Sequence, residues 1–283
     1  MAKREDRTSE LPVHIIHHIL CRTNLEVKEA AATYMLSKRW YYCWTSRPNL
    51  ILHQFQGNTY MPLEKFVKLV DQSLRFHVEH NLHLEKLKLT YSDRDLDSKV
   101  DHWIELGVKL NVTVLVIYPS FLSKSYSLPN VIYDAKKLKT LWLSRCKFEF
   151  DISTTHIRFC CLEDLYLYYV HISDAQLQRV IDRCPFIKTL DLVSCQGISK
   201  LHVFGLVYLK NLTVVLCKLN RVIVQVQNLQ FFRYVEVPDH PCEIAILDGY
   251  NTLQTLKLTG ASITDQQFRD VPKHFRIGSN IML

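Results

Sequence analysis

Residues 138–148 read Leu-Lys-Thr-Leu-Trp-Leu-Ser-Arg-Cys-Lys-Phe, which reduces to the cadence Leu138-x-x-Leu141-x-Leu143-x-x-Cys146-x-Phe148. Leu141 and Leu143 are two residues apart and so share one face of a short strand, while Leu138 sits where the chain enters it. Seven further stretches repeat the pattern at intervals of 20 to 28 residues. A repeat of that length cannot bury its own leucines. Neighbouring copies must stack, giving a solenoid with a continuous core and an extended surface.

The copies run along most of the chain. Leu84, Leu87 and Leu89 form the first, then Val112, Leu115 and Ile117, and then the stretch above. Leu162, Leu165 and Leu167 lead to Val170 and Ile172, while Ile187, Leu190 and Leu192 lead to Cys195. Leu209, Leu212 and Val214 lead to Cys217 and Leu219. Leu229, Phe232 and Tyr234 are degenerate, and Leu253, Leu256 and Leu258 lead to Ala261 and Ile263. This resembles the leucine-rich-repeat family, whose cysteine-containing type often places Cys or Asn where Cys146, Cys195 and Cys217 stand. The strands are expected to form a parallel sheet on one side, with helices or irregular turns on the other. Ser173-x-x-Gln176 has capping-box spacing ahead of Leu177, Val180, Ile181 and Cys184, and Pro185 stops that helix. Val100, Trp103, Ile104 and Val108 predict a second helix, and Phe66, Val70 and Leu74 a third over residues 62–76.

Composition sets bounds on function. Of 283 residues, 48% are hydrophobic and 22% charged, an ordinary folded mixture. No apolar run is long enough to span a bilayer, and the charged start Met-Ala-Lys-Arg-Glu-Asp-Arg is unlike a signal peptide. Nine cysteines in that setting read as reduced thiols, so the protein is expected to be intracellular, in nucleus and/or cytoplasm. The net charge of +7 is spread along the chain without a block of Lys/Arg, which gives nucleic-acid binding little compositional support.

Before the repeats the periodicity changes. Leu11-Pro12 opens a helix whose Ile15, Ile16, Ile19 and Leu20 form an apolar stripe. An alanine-rich helix is expected over 27–35. Leu36-Ser37-Lys38-Arg39-Trp40 and Trp44 follow, the tryptophans four apart on one helical face. Three short helices make only a small core, so large apolar side chains left over need a partner. These motifs resemble the plant-type F-box that precedes leucine-rich repeats. The resemblance implies docking to an Skp-type adaptor, and through it to cullin and RING subunits, with the repeats holding a protein substrate for ubiquitination. It assigns Leu11, Pro12, Ile15, Ile16, Ile19, Leu20, Leu36, Trp40 and Trp44 to the adaptor surface or its support.

Other chemistries find no pattern. His77, His80 and His83 recur every three residues, but nothing completes a four-ligand zinc site, and a solvated helix end is expected. Asp93-x-Asp95-x-Asp97 has Ser98 in place of the turn glycine of a calcium loop and Ile104 in place of its bidentate Glu. No nucleophile elbow, phosphate loop or H-E-x-x-H occurs, so no catalytic residue, metal ligand or cofactor is assigned.

A substrate would meet the residues between the leucines, which alternate away from the core. They form the rows Lys88, Val116, Trp142, Tyr166, Asp191, Thr213, Arg233, Lys257 and Thr90, Tyr118, Ser144, Tyr168, Val193, Val215, Val235, Thr259. Tyr118, Trp142, Tyr166 and Tyr168, with Arg233 and Lys257, are the expected substrate-binding residues of the concave face. The fold class is thus α/β, a three-helix F-box followed by a leucine-rich-repeat solenoid with a parallel sheet on its concave side. The F-box covers residues 7–50, a helical linker packing on the first repeat 51–81, about eight repeats 82–265, and a tail or partial cap 266–283. The function expected is substrate recognition in an SCF-type cullin-RING ubiquitin ligase, without catalysis, nucleic acid or membrane. The alternatives are a repeat scaffold outside a ligase and, less favoured, a hormone sensor.

Overall fold

The computed structural model describes residues 11–22, 38–56, 59–92, 96–120, 126–248 and 252–260. The expected helix near 27–35, Leu36, Asp93 and Asp95, Ala261, Ile263 and the tail 266–283 lie outside them. Nine strands form one parallel sheet, adjacent in chain order. They are β1 (Asn49–His53), β2 (Lys86–Tyr91), β3 (Val114–Pro119), β4 (Thr140–Ser144), β5 (Asp164–Tyr168), β6 (Thr189–Val193), β7 (Asn211–Val215), β8 (Phe231–Val235) and β9 (Thr255–Thr259).

The leucine cadence sets the register. Leu87 pairs with Leu115, Leu115 with Leu141, Leu141 with Leu165 and Leu165 with Leu190, so equivalent side chains stack into ladders. Every strand leucine or its substitute, from Leu50 to Leu258, is at most 6% exposed. The entry residues Leu84, Val112, Leu138, Leu162, Ile187, Leu209, Leu229 and Leu253 are buried beside them. Burying each such side chain contributes about 1.5–3 kcal/mol.

The sheet starts earlier than the expected boundary at residue 82. β1 pairs in register with β2, Leu50 on Leu87 and Leu52 on Leu89, which makes residues 49–53 a first strand rather than a junction of F-box and linker. Arg47 occupies the position where every other copy has an aliphatic residue, so the cadence is hidden. Its side chain is buried, with the guanidinium 3.6 Å over the Trp44 ring and Nη1 donating to the Trp44 carbonyl at 2.5 Å.

Five α-helices are described: α1 (Val13–Arg22), α2 (Lys38–Thr45), α3 (Leu63–Glu79), α4 (Asp97–Lys109) and α5 (Asp174–Asp182). α3 buries Phe66, Val70 and Leu74 in the solenoid core. His77, expected at a solvated helix end, is instead fully buried. Its Nδ1 lies 2.9 Å from the Ser73 carbonyl and its Nε2 3.0 Å from the Arg47 carbonyl, which ties α3 to the chain entering β1. The capping box of α5 forms as the spacing predicts. Ser173 Oγ accepts from the Gln176 backbone N–H, and the Gln176 side chain accepts from the Ser173 N–H. Gln176 Nε2 also donates to the Phe148 and Phe150 carbonyls, clamping this repeat to the preceding one.

α3 and α4 are joined through Asp71. The indole N–H of fully buried Trp103 donates to Asp71 Oδ1 at 2.7 Å, and Lys99 reaches Oδ2 at 3.0 Å. Burial works to raise the Asp71 carboxyl, but these partners outweigh it and hold the group below its usual range. Asp71→Ala should cost about 1–3 kcal/mol in urea denaturation, because it leaves a buried donor unpaired. Asp71→Asn, which keeps an acceptor, should recover most of that loss. Equal stability of the alanine variant and the parent would refute this role.

The return side differs from the expected helices and turns. Lys200–Phe204, Arg221–Gln225 and Glu243–Asp248 form a second parallel sheet, with Leu201 and Val203, Val222 and Val224, and Ile244 and Ile246 turned inward. Ile187, Leu209 and Leu229 are spaced by only 22 and 20 residues, too few for a return helix and its two corners.

At four corners a non-glycine residue takes a left-handed conformation: Arg145 (φ 51°), Tyr169 (57°), Ser194 (51°) and Leu216 (53°). Each costs roughly 1–2 kcal/mol of backbone strain. Against that, each donates its N–H to the last residue of the next strand, at 2.9, 2.7, 2.8 and 2.9 Å respectively. The next residue then turns inward as Cys146, Val170, Cys195 or Cys217, all buried. Cys146 Sγ donates to the Ser144 carbonyl at 3.1 Å, and burial pushes its thiol far up, which suits packing rather than reactivity.

Candidate functional site

Two surfaces carry the residues singled out by sequence. On the first, α1 and α2 pack around Ile16, Leu20, Trp40 and Cys43, with Leu11, Ile19 and Trp44 half-buried against them. Ile16, Leu20 and Trp40, assigned above to the adaptor surface or its support, lie in the core between these two helices. Their helical spacing turns them toward the partner helix. The uncovered apolar groups are Pro12, Val13 (40% exposed) and Ile15 (37%). Pro12, Ile15 and Ile19 stand at i, i+3 and i+7 and line a second stripe beside the buried one. His17 Nε2 lies 3.3 Å from Ser46 Oγ, and burial pulls its imidazole below the usual range.

The second surface is the outer face of the main sheet. The strand register aligns Lys88, Val116, Trp142, Tyr166, Asp191, Thr213, Arg233 and Lys257 in one continuous row. Trp142, 37% exposed, meets Tyr166 at a ring separation of 5.3 Å and Tyr168 at 5.4 Å, both tilted. Such geometry adds about 0.5–1.5 kcal/mol per pair beyond burial and fixes the rings in place. Tyr118 is exposed on the same face. The β3–β4 register ends at Ile117 and Leu143, and among the described residues no ring contact joins Tyr118 to the other three. Within the two rows, Val116, Thr90 and Ser144 are buried rather than presented. Arg233 and Lys257 are register neighbours and exposed.

Two carboxylates share this face: Asp191, already in the outward row, and Asp164, which the sequence reading did not name. Asp191 is in register with Tyr166, and Asp164 lies two residues before Tyr166 on the same strand. Burial pushes the Asp191 carboxyl up, against hydrogen bonds from Thr213 and Tyr168 and the field of Arg233. Burial and both carboxylates push the Tyr166 hydroxyl up as well. Thr140 Oγ1 donates to Asp164 Oδ2 at 3.2 Å. The alternation that identifies the face would have placed Asp164 on it as well.

Among the described residues, no group of three or more His, Cys, Asp or Glu is gathered for a metal, and no helix is long and apolar enough to cross a membrane. The arrangement presents rings and fixed charges on one face of a hydrogen-bonded sheet.

Comparison with known proteins agrees with this architecture. Residues 100–271 match the model of the leucine-rich repeats of FBD-associated F-box protein At5g56370. The chain is 32% identical over 196 residues to FBD-associated F-box protein At5g22720 of Arabidopsis thaliana, covering 68% of this chain and 40% of that one. It is 29% identical over 199 residues to F-box/FBD/LRR-repeat protein At5g56420 of the same plant, with coverage of 70% and 46%. F-box/LRR-repeat protein 25, also from Arabidopsis thaliana, is 26% identical over 202 residues, with coverage of 70% and 72%. The matched region thus spans less than half the length of the first two relatives. No solved structure matches the chain.

Proposed function

The chain belongs to the plant family of F-box proteins with leucine-rich repeats, and from that premise we propose that it is the substrate-recognition subunit of an SCF-type ubiquitin ligase. In this reading residues 7–50 complete a three-helix F-box that docks on an Skp-type adaptor, and through it on cullin and RING subunits. The outer face of the main sheet, taken as the concave side, holds a protein substrate in the nucleus or cytoplasm. The chain itself catalyses nothing. It raises the effective concentration of a substrate lysine near the conjugating enzyme, so the advantage comes from proximity.

The observation that carries the adaptor half is the exposed apolar group Pro12, Val13 and Ile15 beside the described core of Ile16, Leu20, Trp40 and Cys43. A small helical unit gains nothing by exposing such a group unless a second surface covers it. Co-expression with an Skp-type adaptor should give a stable complex at micromolar concentration. Ile15→Glu should weaken it at least tenfold, about 1.4 kcal/mol or more, while leaving the unit folded. No complex from the parent chain would remove the ligase reading. That outcome would favour a scaffold whose helices only cap the solenoid, a reading supported by the burial of Ile16, Leu20 and Trp40.

A further inference from the structure

We propose that the centre of the sheet face recognises a basic side chain, an arginine or lysine of the bound polypeptide, between the rings of Trp142, Tyr166 and Tyr168 and the carboxylates of Asp164 and Asp191. The inference rests on the substrate-holding role given to this face above and specifies its chemistry.

The outward positions of β4, β5 and β6 form three rows: Thr140, Asp164, Thr189; Trp142, Tyr166, Asp191; and Ser144, Tyr168, Val193. These nine positions hold two acids, three rings and no base, within a chain whose net charge is +7. Basic groups stand on either side. Lys86 and Lys88 lie on β2, and Arg233 and Lys257 on β8 and β9. Strands about 4.8 Å apart put the backbones of these four positions roughly 10 Å or more from the nearest acid's strand, although the fields of Arg233 and Lys188 still reach Asp191 and Asp164. The face is therefore zoned basic, aromatic-acidic, basic.

The central zone has two attractions for a cation. Ring faces carry negative quadrupole potential, and tilting Tyr166 and Tyr168 against Trp142 builds a wall of such faces. Asp191 is in register with Tyr166, at the edge of that wall. Its hydrogen bonds come from hydroxyls, and among the described residues no cationic side chain forms an ion pair with it. Burial without a paired cation leaves its charge poorly compensated, which agrees with its raised carboxyl. A guanidinium or ammonium would supply the missing charge while stacking on the rings. Acidic residues flanking that base in the ligand would then meet Arg233 and Lys257.

The test uses the full chain in complex with its adaptor and a random library of peptides about 12 residues long, displayed on their encoding RNA; that length spans the sheet face when extended. Selected peptides whose binding depends on Trp142 should share one arginine or lysine. Replacing that residue by norleucine should weaken binding on the order of tenfold to a hundredfold. Asp191→Asn should produce a similar loss for the basic peptide and none for the norleucine peptide, and Asp191→Glu should restore much of it. Trp142-dependent peptides without a shared base, or equal affinity of the Asp191→Asn variant, would overturn this inference and leave the substrate-holding face intact. Recovery of no Trp142-dependent peptide at all would overturn both.

Discussion

Replacing Trp142 and Tyr166 together by alanine is expected to abolish substrate capture by the assembled ligase while leaving adaptor binding unchanged. Rings of this kind, anchored on a rigid face, typically cost about 2 kcal/mol or more each when truncated at an interface centre. Two such losses approach 4 kcal/mol, roughly a thousandfold in Kd. The two rings touch at 5.3 Å, so the double loss should differ from the sum of the single ones. Neither ring supports the core, which lies on the opposite face of β4 and β5 under Leu141, Leu143, Leu165 and Leu167. Thermal melting should therefore be close to that of the parent. Adaptor pull-down of the double variant, followed by quantification of what co-purifies, reads both quantities at once. Capture equal to that of the parent would refute the assignment of the face.

Leu165→Ala is the second large effect, about 3–5 kcal/mol of lost stability. Leu165 is on the fifth of nine strands, stacked between Leu141 and Leu190 and fully buried. In a nearly one-dimensional stack its loss weakens two interfaces at once and separates the halves on either side. Leu256→Ala is on the last described strand, where among the described residues it stacks on Phe232 alone, and is already slightly exposed, so it should cost less. Urea denaturation of both variants tests the difference. Equal losses would indicate a single cooperative core instead of neighbour-by-neighbour coupling.

Much of this molecule is legible from spacing alone because the forces that shape it are local and repeated. Each leucine triplet reports its own strand, and pairing in register follows once equivalent residues stack. The capping box at Ser173 was readable because both partners lie within four residues. Failures came where one residue broke the repeat or where its partner was distant in sequence. Arg47 concealed β1 by replacing an aliphatic residue with a side chain that finds Trp44 instead. His77 looked solvated because its partner, the Arg47 carbonyl, is 30 residues away. The return sheet was missed because each of its strands shows only two inward apolar residues, too few to establish a period of two. On the site, alternation places the rings and Asp191 on the outer face and extends to Asp164, but the contacts among the rings required the register between strands. Helical spacing placed Ile16 and Trp40 on apolar stripes. It could not decide which stripe faces inward.

The early start of the sheet has a consequence for reach. β1 follows α2 after only a few residues, and His77 ties that turn to α3 through the Arg47 carbonyl, from which the helical end and the stack are expected to move as one stiff bar. Along such a bar, distance is counted in strands. The rings and acids on β4 to β6 lie three to five steps from β1, about 14–24 Å at the usual strand spacing. Losing or gaining one repeat between them would move the recognition zone by a single increment of about 5 Å without altering its chemistry. A lineage could thus retune which lysine of a target comes within range by counting repeats, as a ratchet does.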